Sequence, residues 1–272
     1  MLLLALALLG ATAAPVPSQA HGAATRATRI ARGDQAFVSR GDPAHLAEAI
    51  EAWTAVAAHP PEDPAVELRL ARAEAFRALA DPASARAAWL ASSRAAERAL
   101  RRLSPAWAAA VEAGDLVGAP SRVGPEGAEA LYWLALGTWS SAREKGLAAL
   151  LAVKDPALAA MERAASLDGT VDCAGPHRAL GAWAAALPVA VGGGVARSRR
   201  HFEQARELGP GCLLTPVAEA GSLLVLLQDR AAFERTLAGV EGAGDADPRW
   251  APENEVARRL ARELRARAAR LF

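Results

Sequence analysis

Residues 174–210, AGPHRALGAWAAALPVAVGGGVARSRRHFEQARELGP, decide the fold. They read as two helices joined by a glycine-rich bend at Gly192, Gly193 and Gly194. The first helix places Leu180, Gly181 and Trp183 close together; the second carries Phe202, Ala205, Leu208 and then Pro210. A large residue, a small one a turn later and a closing proline are what the second helix of a tetratricopeptide unit requires. The large side chain fills a groove on the neighbouring helix, alanine lets the backbones approach, and proline stops the helix before the next unit.

Working outward, the same rhythm recurs. Residues 26–40 and 43–58 form a first helical pair, with Gly41-Asp42-Pro43 as stop, cap and first helical position. Ala49, Trp53 and Val56 repeat the large–small pattern ahead of Pro60 and Pro61. A second pair runs over 64–79 and 82–103, with Asp81-Pro82 opening its second helix and Phe76, Ala85 and Trp89 in the packing positions. Residues 107–127, punctuated by Gly114, Gly118, Pro120, Gly124 and Pro125, read as a short helix and an irregular crossing segment. The third pair carries Trp133, Leu136 and Gly137 in a W-x-x-L-G signature. Its second helix is expected to open at Asp155-Pro156, after an insertion. A fifth pair follows over 213–227 and 229–240. The final helix, 252–271, sets Val256, Leu260, Leu264 and Leu271 against Arg258, Arg259, Arg262, Arg265, Arg267 and Arg270. It reads either as a capping helix with a solvated polar face or as a surface for anionic lipid or an acidic partner. The expected fold is therefore all-α: a tetratricopeptide-like helical-repeat solenoid of about five helix pairs with a C-terminal capping helix.

Composition agrees with that class. Apolar residues make up 52% of the chain but aromatics only 5%, so much of the apolar content is alanine suited to close helix packing. A formal net charge of +1 gives the molecule no global attraction to nucleic acid. Residues 1–14, MLLLALALLGATAA, are apolar, too short to span a bilayer and followed by Pro15 and Pro17. They read as the apolar core of a secretory signal, with a short buried helix as the alternative. A signal peptide over residues 1–20 would leave 21–272 as a single helical-repeat domain. No cysteine lies near the signal, so the exported chain is expected to be soluble and without a lipid anchor there. Cys173 and Cys212 flank the central unit; they form one disulfide or stay as two buried thiols.

No catalytic or metal constellation emerges. The five histidines form no His-x-x-x-His pair, no cysteine cluster has metal-ligand spacing, and the triple glycine lacks the Lys-Ser/Thr of a phosphate loop. No enzyme activity, cofactor or metal is expected. Tyr132, Trp133, Trp139 and Trp183 stand at helical spacing, either as core or as the wall of an apolar groove or channel. His177 and Arg178 are either solvated first-turn residues or contacts for a ligand or partner. Glu219 sits in the apolar stretch 217–227 and needs a cation, for which Arg178 and Arg197 are candidates.

These residues resemble the T-component family associated with TRAP transporters. The matching stretches are EALYWLALGTWSSA (129–142), AGPHRALGAW (174–183) and ALPVAVGGGVARSRRHFEQARELGPG (186–211), with QDRAAFERTL (228–237) and the arginine-rich closing helix beside them. The resemblance extends well over 128–272, and over the first two pairs only through repeat rhythm. It implies a periplasmic, non-enzymatic accessory subunit that docks a solute-binding protein. It further implies a small apolar ligand carried through a central pore, and a homo-trimer. The chain departs from lipoprotein members in lacking a lipobox cysteine. The alternative function is a general envelope scaffold of tetratricopeptide type that binds extended peptides.

Overall fold

A computed structural model describes residues 19–272, and their side chains from residue 25 onward. The expected signal segment, apart from its last two residues, lies outside the described residues. Among those described, all regular structure is helical, in thirteen α-helices with short tighter turns between them.

The first pair is α1 (Gln19–Val38) and α2 (Pro43–Ala57), the second α3 (Pro64–Ala80) and α4 (Ala85–Leu103). Local chemistry sets two of these starts. Asp42 and Asp63 accept hydrogen bonds from the backbone of Ala44 and Ala65 while Pro43 and Pro64 occupy first-turn positions that need no N–H. Asp81-Pro82 behaves differently, forming a turn that delays α4 to Ala85. A short helix α5 (Pro105–Glu112) and single turns at Ala119–Arg122 and Pro125–Gly127 make the crossing segment.

The third pair is α6 (Ala128–Lys145) and α7 (Leu147–Leu167). Here the expected boundary is corrected: Asp155-Pro156 does not open a helix, because Pro156 lies inside α7. The residues taken for an insertion are two extra helical turns. Proline removes one backbone bond at that point, while leucine- and alanine-rich 147–152 favours helix and brings Leu150 against the core.

The fourth pair is α8 (Val171–Ala186) and α9 (Val195–Leu208), joined by the glycine bend. Gly192 and Gly194 adopt φ of +91° and +116°, which side chains other than glycine rarely tolerate. Phe202 is fully buried over Gly181, and Ser198 Oγ donates to the Gly181 carbonyl at 2.8 Å. The large residue of the second helix thus meets the small residue of the first, as the repeat rhythm predicts. The fifth pair begins with α10 (Leu214–Glu219), which continues through a π-turn over Ala220–Leu224, and ends with α11 (Arg230–Gly242). The closing helix is α12 (Ala251–Ala266), broken at Arg267 before the short α13 (Ala268–Leu271).

Helices pack in sequence within pairs, and α4 lies along α6 to join the second and third. The last helix also returns to the first ones. Arg40, after α1, forms a buried ion pair with Glu253 of α12 at 2.5 Å, with both side chains almost solvent-free. Arg259 of α12 donates to the Leu79 carbonyl at the end of α3 at 2.6 Å. The arginine face of α12 is committed: Arg258, Arg259, Arg262, Arg265 and Arg267 each reach a carboxylate of α11, α12 or the 243–247 link. The closing segment itself holds only Glu253, Glu255 and Glu263 beside its six arginines, and Glu253 is taken by Arg40.

Candidate functional site

The helices surround a half-open cavity of about 590 Å³ lined from α3, α4, α6, α7, α8, α10 and α12. Five of the six residues singled out from the sequence, Tyr132, Trp133, Trp139, Arg178 and Trp183, line it together. Helical spacing explains the α6 set: Tyr132, Trp133, Leu136, Trp139, Ser140 and Arg143 lie on adjoining faces separated by three or four residues. Trp139 stacks on Trp183 of α8 with ring centroids 4.1 Å apart and planes 13° from parallel. Tyr132 and Trp133 meet at 4.5 Å, and the Trp133 indole N–H donates to Glu129 at 3.0 Å. All four rings are at most 5% exposed, so they are core and cavity wall at once. Phe76 of α3 and Trp89 of α4 complete the aromatic lining. Sequence reasoning read those two only as repeat packing, because their inward face is set by helices distant in the chain.

The polar groups of the wall are tied to one another. Arg178, 9% exposed, pairs with Asp172 at 2.8 Å, and Tyr132 Oη donates to the same carboxylate at 2.6 Å. Arg178 also donates to the Asp172 and Cys173 carbonyls at 3.3 and 3.0 Å. Burial, and then the neighbouring Asp172 charge, push the Tyr132 hydroxyl well above the usual phenol range. Arg178 is therefore not a solvated first-turn residue. Its guanidinium clamps the start of α8, where Asp172, Cys173 and Ala174 take φ of 49°, 54° and 59°. The right-handed course of α8 begins only after this left-handed turn, and Gly175 gives the Tyr132 hydroxyl the room a Cβ would take.

Two cations line the cavity without a carboxylate partner among the described residues, Arg143 and Arg72; the Arg72 guanidinium stacks over Phe37 and Trp250 at 5.2 and 5.5 Å, with a buried Nε that has no hydrogen-bond acceptor. Arg143 stands at the edge and is exposed.

His177 is the sequence candidate that the cavity leaves out. It is 9% exposed and faces His201 of α9, with the two Nδ1 atoms 3.2 Å apart. Burial lowers the affinity of both imidazoles for a proton, and His201 is held at about 4 by burial and by His177 beside it. A neutral pair sharing one hydrogen bond fits that spacing.

Cys173 and Cys212 are free buried thiols, and the Cys173 thiol donates to the Gly209 carbonyl at 3.8 Å. Glu219 finds neither expected cation: Arg206 of α9 pairs with it, Arg178 is taken by Asp172 and Arg197 by Glu162. Arg206 lies across the α9–α10 interface, where register decides the partner.

None of the described helices is long and apolar enough to cross a membrane. A family model described as the TRAP transporter T-component matches residues 66–272. The match begins at the second helix pair, upstream of the stretches that carry the sequence resemblance. No curated protein matches the chain.

Proposed function

The chain belongs to the TRAP transporter T-component family, and from that premise we propose that it is a non-enzymatic periplasmic accessory protein whose cavity carries a small apolar ligand. In this reading the helix pairs form a tetratricopeptide-like solenoid. The exported, soluble protein docks a solute-binding protein, acts as a homo-trimer and receives the ligand between the stacked rings of Trp139 and Trp183 and the facing Phe76 and Trp89. The supporting observation is the cavity itself. It is about the size of drug-like ligand sites, walled by aromatics, and its buried Arg178–Asp172 and Arg40–Glu253 charges are satisfied internally. An apolar guest would displace water without breaking those pairs.

The test uses a neutral apolar fluorophore, N-phenyl-1-naphthylamine, titrated into the chain starting at His21. Saturable binding is expected, with energy transfer from the cavity tryptophans. Ala182→Phe, which extends a ring into the cavity, should weaken it at least tenfold while leaving the helical content unchanged. Binding that Ala182→Phe leaves untouched would place the guest elsewhere. Docking is tested by immobilising the same chain on periplasmic extract. Recovery of a solute-binding protein supports the transport role, whereas assorted envelope proteins without one would leave only the general scaffold.

A further inference from the structure

Behind the cavity wall lie two nucleophiles that the transport reading does not use. Cys173 occupies the middle of the left-handed turn, with φ of 54°. Three successive non-glycine residues in that region are unfavourable for L-amino acids, so the surrounding contacts must impose the turn. Those contacts converge on the thiols. Arg178 Nη1 donates to the Cys173 carbonyl at 3.0 Å and lies 3.4 Å from Cys212 Sγ. Gly209 presses so close that a Cβ there would stand 2.8 Å from the Cys173 carbonyl oxygen and 3.1 Å from its sulfur. Cys173 and Cys212 are 6% and 3% exposed and meet at the Gly209 carbonyl, which accepts from the Cys173 thiol at 3.8 Å and from the Cys212 backbone N–H at 3.1 Å. Apolar packing alone would need neither the strained turn nor a guanidinium against one sulfur.

We propose that Cys173 and Cys212 are a reversible dithiol–disulfide pair, in which Cys212 attacks an external organic disulfide and Cys173 resolves the product. The Cys212 thiolate attacks one sulfur of the oxidant, breaking its S–S bond, forming a mixed disulfide and expelling one thiolate, which takes up a proton. Cys173 loses its proton to solvent and attacks the Cys212 sulfur, expelling the second thiolate. The chain gains one disulfide and loses two hydrogens, and the oxidant becomes two thiols. The electrostatics favour this order: the neighbouring Cys173 thiol and the Arg178 charge hold Cys212 below the usual thiol range against burial, while Cys173 is pushed up.

The gate is the linker between α9 and α10. Asn254 of α12 fastens it on either side of Cys212, donating to the Gly211 carbonyl at 3.1 Å and accepting from the Leu213 N–H at 3.0 Å. Oxidation would staple this linker to the turn that carries Asp172, the carboxylate that holds Tyr132 in the cavity wall. The redox state would then act on the cavity. The proposal stands on the thiol geometry and does not depend on the transport reading.

The experiment equilibrates the folded full chain in glutathione buffers of graded oxidised-to-reduced ratio, quenches it with acid and maps its peptides by mass. A single intramolecular 173–212 disulfide is expected, reversed by reduced glutathione. Cys173→Ser should accumulate glutathione on Cys212, whereas Cys212→Ser should react at Cys173 at least about tenfold more slowly. Circular dichroism confirms that both variants keep their helices. The proposal fails if no bridge forms at any ratio, if Cys173 is the faster thiol, or if the bridge appears only at urea concentrations that unfold the helices.

Discussion

Gly137→Ala tests the closest approach between helices in the molecule's central packing. Gly137 lies where α6 crosses α4, and a Cβ added there would stand 2.6 Å from the Trp89 carbonyl oxygen, 2.9 Å from the Ser93 nitrogen and 3.0 Å from Ser93 Cβ. Ordinary contact begins near 3.4 Å, so α6 would have to withdraw by about 0.8 Å. Two of the three obstacles are helix backbone, which cannot swing aside as a side chain can. Withdrawal would also loosen Trp133 and Trp139 on the same helix. Overpacking of this kind costs about 1–3 kcal/mol, and alanine's better helix propensity returns roughly 1 kcal/mol, leaving a net loss of up to about 2 kcal/mol. Gly239 is the internal reference: it lies within α11 and a Cβ there meets nothing within 4 Å. The same substitution at Gly239 should stabilise by about 1 kcal/mol. For a chain of this size each kcal/mol moves the melting temperature by roughly 2–4 °C, so the Gly137→Ala protein should melt about 2–12 °C below the Gly239→Ala protein. Far-UV circular dichroism melts and urea titrations measure the difference. A Gly137→Ala protein melting above the parent would refute the packing of α6 on α4.

Three further outcomes follow from buried polar groups. Glu253→Ala leaves Arg40 buried without its carboxylate and should cost about 3–5 kcal/mol in urea unfolding, while the double variant Arg40→Met, Glu253→Leu should recover most of that; equal losses in the two would deny that the pair is desolvated. Tyr132→Phe removes one hydrogen bond to the Asp172 carboxylate and should cost about 1.5–3 kcal/mol, and a neutral result would mean that Asp172 is held by Arg178 alone. His201 titrates near 4 in the folded chain and near 6.5 when unfolded, so the unfolded state binds the extra proton between those values. Stability should therefore fall as pH drops from 6.5 towards 4. Glu74, whose carboxyl burial raises, works in the opposite sense. The His201→Gln variant isolates the histidine contribution and should show a shallower decline in urea midpoint; an identical pH profile would remove His201 from the linkage.

The helix pairs were legible because their signals are local. Asp42-Pro43 and Asp63-Pro64 cap and start helices with hydrogen bonds to residues only two positions away. The same dipeptide misled at Asp155-Pro156 because capping chemistry does not reveal whether the preceding residues are already helical. There, packing decides: Leu150 reaches the cavity wall, and the helix carries through Pro156. At Asp81-Pro82 the dipeptide spends its capping capacity on a turn, and α4 starts at Ala85.

The cavity was half legible for the same reason. Tyr132, Trp133 and Trp139 share one helix, so spacing alone puts them on adjoining faces, and Trp183 follows from the packing of α8 beside α6. The polar partners were not readable. No propensity assigns Asp172-Cys173-Ala174 to a left-handed turn, yet that turn delivers Asp172 to Arg178 and the Cys173 thiol to the Gly209 carbonyl. Once Arg178 is committed there, Glu219 must find another cation, and His177 turns towards α9 instead of the cavity. The result bears on what the cavity can hold. With Arg178 and Glu253 each neutralised by a partner, the aromatic wall presents little net charge except at the exposed Arg143 and at Arg72, whose guanidinium rests between two rings. An apolar guest therefore gains burial against the rings without uncovering a charge. An ionic guest would have to break pairs already satisfied or find its counter-charge at Arg72 or Arg143.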